Sequence, residues 1–375
     1  MSSNFIPVYQ PSLSGNEKDY VSQCLDTSWI SSKGTFVSRF EADFAKFLRI
    51  RASTTVSNGT TALYLALHAL GISKDDEVIV PTLTYIASVN AIALVGATPV
   101  FVDSDPDTWN LDVDRIETIL TPRTKAILAV HLYGAVCAMD KLQALCKKHN
   151  LFLIEDAAEA FGSQFQGHFS GTFGDIATFS FFGNKTITTG EGGMVVSNDS
   201  AIIDRVAYLK SQAVSPTREY WHDEIGFNFR MTNICAALGV AQLENVDSIL
   251  EAKLRLANWY REDLDGLPVT FQAELPETVH TYWMVCFLVE NVRIRDRIRQ
   301  ALKNSGVETR PIFWPAHKMP VFKSNEVFPV AENISLRGLN LPSYPALTRE
   351  QVSYITLIIK EVFTAGIHIR SNTNK

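Results

Sequence analysis

Lys185 lies in TFSFFGNKTITTGEGGM, where an aromatic, apolar run meets Gly183 and is followed by Gly190, Gly192 and Gly193. Two readings fit a lysine there. One is a solvated loop lysine, as most lysines are. The other is an amine packed against apolar surface, where loss of water lowers its proton affinity and suits it to forming a Schiff base. Asp156 closes the apolar run LFLIED. It reads either as a helix cap or as an anion aimed into a crevice. A lysine to form an imine and an acid to keep a pyridine nitrogen protonated are the pair that pyridoxal phosphate (PLP) chemistry requires. Losing one partner of such a buried pair costs about 3–5 kcal/mol. Asn58-Gly59-Thr60-Thr61 opens an apolar-periodic segment. It is a plain helix cap or, through its free amides and the positive helix end, a cup for an anion. Ser180 precedes Lys185 by five residues and offers a hydroxyl donor or a polar spot on a strand face.

These residues fall between elements that the pattern predicts. Strands are expected at Ala52–Ser57, Glu77–Val80, Pro99–Asp103, Lys125–Val130, Leu151–Glu155, Ile176–Phe182 and Met194–Ser197. Helical periodicity occupies the segments after Asn58, over Ile86–Val95 and over Met139–His149. Continuous apolar strands alternating with helices predict an α/β fold with a mostly parallel sheet covered on both faces. Ligands of such sheets bind beyond the carboxyl ends of the strands. The candidate residues sit at such ends. From about Asn245 onward a long helix (247–265), a strand over 281–289, a helix in RDRIRQALKNSGV, a strand in ETRPIF and a last helix (348–364) suggest a smaller α+β unit. The expected organisation is an N-terminal segment, 1–30, packing on the rest, a large domain, 31–246, and a small C-terminal domain, 247–375.

Composition removes other classes. The chain has 375 residues, and 34 basic against 40 acidic side chains give a net charge of −6, without the basic excess of a nucleic-acid binder. Five cysteines, none in a CxxC pair, fit neither a disulfide scaffold nor a cysteine zinc site. No HExxH, GxxxxGK[ST] or GxSxG motif occurs, and GEGGM leads into a strand rather than a helix, so no metal or dinucleotide site is expected. With no signal-peptide pattern and no long clean apolar stretch, the expected location is the cytoplasm, away from membranes.

Six segments in this order, SNGTTALYLAL, VPTLTYIASVNAI, VHLYG, IEDAAEAFGS, TFSFFGNKTITTGEGGM and GFNFRMTNICAALGVAQLE, resemble the nucleotide-sugar aminotransferases of the DegT/DnrJ/EryC1/StrS group. That group is a branch of the fold type I (aspartate aminotransferase-like) PLP enzymes. The resemblance implies that Lys185 is the catalytic lysine and proton carrier, and that Asp156 pairs with the pyridine nitrogen. It further implies Tyr85 stacked on the ring, Gly59, Thr60 and Ser180 on the phosphate, and Glu159 near the ring hydroxyl. Asn228, in GFNFR, matches an asparagine that reaches the cofactor of a neighbouring subunit, which implies a homodimer with shared sites. Arg230 is a candidate for the donor's carboxylate or a structural ion pair. Trp29, Ser31, His131, Tyr133, Phe313 and His317 are candidates for the sugar nucleotide or for packing. IPVYQPSLSGNEKDYV, DTSWISSKG and ETRPIFWPAHKMP resemble members that transfer the amino group of L-glutamate to the keto carbon of GDP-4-keto-6-deoxy-D-mannose. The alternatives are the same transamination on another keto sugar, such as an 8-oxo-KDO derivative, and a non-catalytic regulator, which is expected to lack Lys185 or Asp156.

Overall fold

The computed structural model describes residues 5–372, with side chains through 364. Its main sheet has seven strands in the spatial order Ala52–Val56, Gly193–Ser197, Ile176–Ser180, Phe152–Asp156, Thr124–Val130, Glu77–Pro81 and Thr98–Val102. Only Gly193–Ser197 runs against its neighbours; all other strands point the same way. Pro99 sits in the edge strand, where a missing N–H does no harm.

Side-chain parity divides the sheet's two faces. Val78, Val80, Leu128 and Ile154 join one core with the helices Gly59–Ala69 and Ala87–Leu94. Ile79, Ile127, Ala129 and Leu153 join the opposite core with helix Met139–His149. A further apolar layer is built by helix Thr35–Leu48, whose Phe36, Phe40, Phe44 and Leu48 recur at helical spacing, and by helix Asn233–Glu244. These two helices approach closely, because a Cβ on Gly239 would lie 2.6 Å from the Phe40 ring. Neither helix was expected from the pattern, nor were Ser200–Leu209 and Pro329–Arg337.

A second sheet, in the order Val269–Phe271, Val285–Val289, Gly338–Leu341 and Arg310–Pro311, is antiparallel throughout. The helices Val246–Asp263, Val292–Asn304 and Arg349–Asn372 accompany it. The strand expected over 281–289 is shorter, because Tyr282 takes a left-handed conformation (φ 48°) and the chain only becomes regular at Val285. That break leaves Trp283 outside the ladder, beside Lys185. The N-terminal segment touches both sheets' surroundings. Ile6 bridges to Val307, while Glu17, at the start of helix Glu17–Asp26, accepts from Gln242 at 2.6 Å. No described helix is long and apolar enough to cross a membrane.

Candidate active site

Strand parity decides which of two adjacent acids faces the cleft. Glu155 shares Leu153's face, where its buried carboxylate accepts from the amides of Gly171, Phe173 and Gly174 at 2.7–2.8 Å and from His131 Nε2 at 3.0 Å. Asp156 shares Ile154's face and meets helix Ala87–Leu94. Its Oδ2 accepts from Ser88 Oγ at 2.7 Å and its Oδ1 from Ala158 N at 3.1 Å. Asp156 is nearly buried, and Thr84 Oγ1 backs Ser88 at 3.0 Å.

Lys185 follows strand Ile176–Ser180 on a loop closed by Phe181 N to Gly192 O and by Thr189 N to Phe181 O, both 2.9 Å. Gly190 supplies a left-handed turn (φ 79°) there. The lysine side chain is only 11% exposed. Its Nζ lies 3.9 Å from Glu159 Oε1 and 3.9 Å from the centroid of the Trp283 ring. Burial lowers the amine's pKa, opposed by the charges of Glu159 and Asp156. Burial pushes Glu159 up to about 7, against the pull of Lys185 and of the Tyr133 amide, which donates to Glu159 Oε2 at 2.8 Å. A carboxyl and an amine with converging proton affinities thus share one buried pocket.

The third part is the start of helix Gly59–Ala69. Asn58 and Thr61 form a reciprocal capping box that engages the amides of Asn58 and Thr61. The amides of Gly59 and Thr60, in the first turn, have no intrahelical acceptor. Gly59 lets this helix end abut the end of strand Ile176–Ser180, since a Cβ there would lie 2.7 Å from Ser180 Cβ. Ser180 Oγ is thereby set beside the open amides. Buried amine, buried acid on a serine and amide cup together fit a group that carries an aldehyde, a basic ring nitrogen and a phosphate.

The remaining candidates divide. Tyr85 is 56% exposed, with its ring 5.6 Å from that of Phe313. Tyr133 is fully buried, stacked on Phe313 at 5.1 Å and on Trp283 at 6.0 Å, and its hydroxyl accepts from Phe313 N at 3.1 Å. Tyr133 therefore supports the cleft wall, whose outer ring is Phe313. Of the two readings open for His131 and His317, the structure favours packing. His131 is fully buried, and Cys137 N donates to its Nδ1 at 3.2 Å while Nε2 meets Glu155. His317, also fully buried, spans Thr82 Oγ1 at 2.6 Å and Glu332 Oε1 at 3.1 Å. Both imidazoles have two partners and no free nitrogen for a sugar. Trp29 and Ser31 are exposed, and their carbonyls accept from Asn233 at 2.7 and 2.8 Å, which anchors them to helix Asn233–Glu244 rather than to the lysine loop.

Phe229 O accepts from Ser57 N at 2.8 Å, so the Asn228–Arg230 strap lies next to the amide cup. Asn228 is exposed and its Oδ1 accepts from Arg230 Nε at 3.2 Å. The Arg230 guanidinium meets an amide oxygen there rather than an acid. Sequence reasoning missed Ser88, Trp283, Tyr9 and Lys253. For Ser88 the signal was available, as the first-turn hydroxyl of a helix following a strand in the same sheet.

Known proteins resemble this chain over most of its length. The model of the DegT/DnrJ/EryC1/StrS aminotransferase family matches residues 11–360. The GDP-perosamine synthase of Escherichia coli O157:H7 is 55% identical over 96% of this chain and 99% of its own. That of Vibrio cholerae is 49% identical over 96% and 99%. Among solved structures, the PLP form of the putative sugar aminotransferase Spr1654 from Streptococcus pneumoniae superposes with a TM-score of 0.91 at 28% identity, covering 96% of this chain and 98% of that one. The chain belongs to the DegT/DnrJ/EryC1/StrS aminotransferase family.

Proposed function

We propose that this aminotransferase uses PLP to move the amino group of L-glutamate to C4 of GDP-4-keto-6-deoxy-D-mannose, yielding GDP-perosamine and 2-oxoglutarate. The observation that carries the reading is identity of about half over nearly the full length to two GDP-perosamine synthases. When bound, PLP supplies an aldehyde that takes up the amine and a protonated ring that withdraws electrons. Lys185 Nζ removes the proton from the α-carbon of glutamate and returns one at C4 of the sugar in the second half-reaction. Asp156, fixed by Ser88, holds the ring nitrogen protonated. Gly59 and Thr60 amides with Ser180 hold the phosphate at the helix end. Glu159 balances the charge on Lys185 at 3.9 Å. Tyr85 and Phe313 wall the mouth against water.

Asn228 and the exposed Tyr220, Trp221 and Ile225 of the preceding loop suit a homodimer in which this strap completes the neighbouring site. The setting is cytoplasmic supply of an aminated sugar for O-antigen lipopolysaccharide. Lys185 and Asp156 are both present, so a non-catalytic regulator is disfavoured.

Absorbance of the PLP-loaded protein tests the whole reading. Glutamate is expected to bleach the visible band of lysine-bound cofactor to the pyridoxamine form, and GDP-4-keto-6-deoxymannose to restore it. Bleaching without return keeps the aminotransferase and rejects this sugar, and an 8-oxo-KDO derivative is the next acceptor to add. No visible band with PLP overturns the role of Lys185.

A further inference from the structure

Among the buried titratable groups that the reaction scheme does not use, Lys253 stands next to the lysine loop's supports. Lys253, on helix Val246–Asp263, is fully buried and has no acid partner among its described contacts. Its Nζ donates to Trp283 O at 2.8 Å and to Ser343 O, and lies 5.3 Å from the Tyr9 ring centroid. Both aromatic residues in turn hold the lysine loop. Trp283 Nε1 donates to Asn184 O at 2.6 Å, and Tyr9 OH donates to Lys185 O at 2.6 Å. The indole is almost completely buried, with Tyr133 stacked nearly parallel to it, and Lys185 Nζ rests 3.9 Å from its centroid. Lys185, Trp283, Lys253 and Tyr9 therefore form a closed ring of contacts, pinned to the lysine backbone at two adjacent carbonyls.

We propose that Trp283 is a positioning residue whose indole face holds the Lys185 amine whenever that amine is not bonded to cofactor, and that Lys253 clamps the indole in this orientation. The inference rests on the reading of Lys185 as the reacting amine. A lysine stem has four rotatable carbons, so a freed amine needs a fixed resting place to return a proton to a defined carbon. An indole face attracts an ammonium, most strongly where water is excluded. The other charged groups facing Lys185 are Glu159 and Asp156, which favour the same protonated form. Lys253 meets Trp283 at its backbone carbonyl.

The test uses apoprotein carrying 13C at lysine Cε, with the Lys185 signal identified by its loss in Lys185→Arg. The Lys185 ε-protons are expected well upfield of the other lysines through the indole ring current. Trp283→Leu is expected to abolish that shift and to lower the Lys185 protonation constant about tenfold. It also slows the glutamate half-reaction about tenfold with little change in glutamate KM, and Trp283→Phe restores most of both. Unshifted ε-protons in the wild-type apoprotein overturn the proposal, and this measurement needs no variant to fold. So does a folded Trp283→Leu protein with unchanged titration and half-reaction rate, or a folded Trp283→Phe protein as impaired as Trp283→Leu. The underlying reading fails separately, if Lys185→Arg still forms the visible cofactor band.

Discussion

Replacing Lys253 by Met removes a buried amine while nearly keeping its volume, and the consequence is a pH signature. Burial lowers the Lys253 pKa from 10.5 to about 7. Between these values the unfolded chain carries the proton and the native protein does not. Stability from this group is therefore intact above pH 10.5, falls as pH drops from 10.5 toward 7, and is fully lost below 7. The total is about 5 kcal/mol for a shift of this size. Across the central part of the window the folding constant changes roughly tenfold per pH unit. Methionine cannot titrate, so the variant lacks this slope. It instead leaves the carbonyls of Trp283 and Ser343 without their donor, which costs about 1–3 kcal/mol for each. Urea unfolding of wild type and Lys253→Met apoprotein, at one protein concentration, is compared at pH 7.5 and 9.5. Wild type is expected to gain about 3 kcal/mol on the variant between them. A difference that stays flat over that range refutes the reasoning, because it means that Lys253 keeps its proton in the fold.

Three further outcomes follow from the site. Gly59→Ala forces a Cβ to 2.7 Å from Ser180 Cβ, so the helix start must retreat and PLP affinity is expected to fall about tenfold, read by equilibrium titration. Asp156→Asn keeps the shape but not the charge, and kcat is expected to drop at least about 100-fold while PLP remains bound, read by spectrum and by 2-oxoglutarate release. His131→Ala strips Glu155 and the Cys137 amide of a buried partner, so it is expected to lower the thermal midpoint while leaving KM for both substrates close to wild type.

The apolar runs LFLIE and KAILAV and the helical spacing after Asn58 were enough to place the parallel strands and the helix that opens on the amide cup, because burial on both faces of a sheet writes itself into continuous hydrophobicity. Lys185, Asp156 and the Asn58–Thr61 turn stood at strand ends in the sequence, where α/β folds gather chemistry. Helix Thr35–Leu48 carries the same kind of signal in its phenylalanine spacing.

Local pattern and short spacing set the chemical inventory of this protein, an amine, an acid and a helix end on the loops of one sheet. Its motifs likewise carried the family. Which of these groups meet depends on the fold as a whole. Strand parity gave Asp156 to Ser88 and Glu155 to His131. A left-handed Tyr282, far along the chain from the lysine loop, delivered Trp283 to Lys185, and full burial removed His131 and His317 from the cleft. Such pairings depend on which distant segments share a face, and no local spacing encodes them.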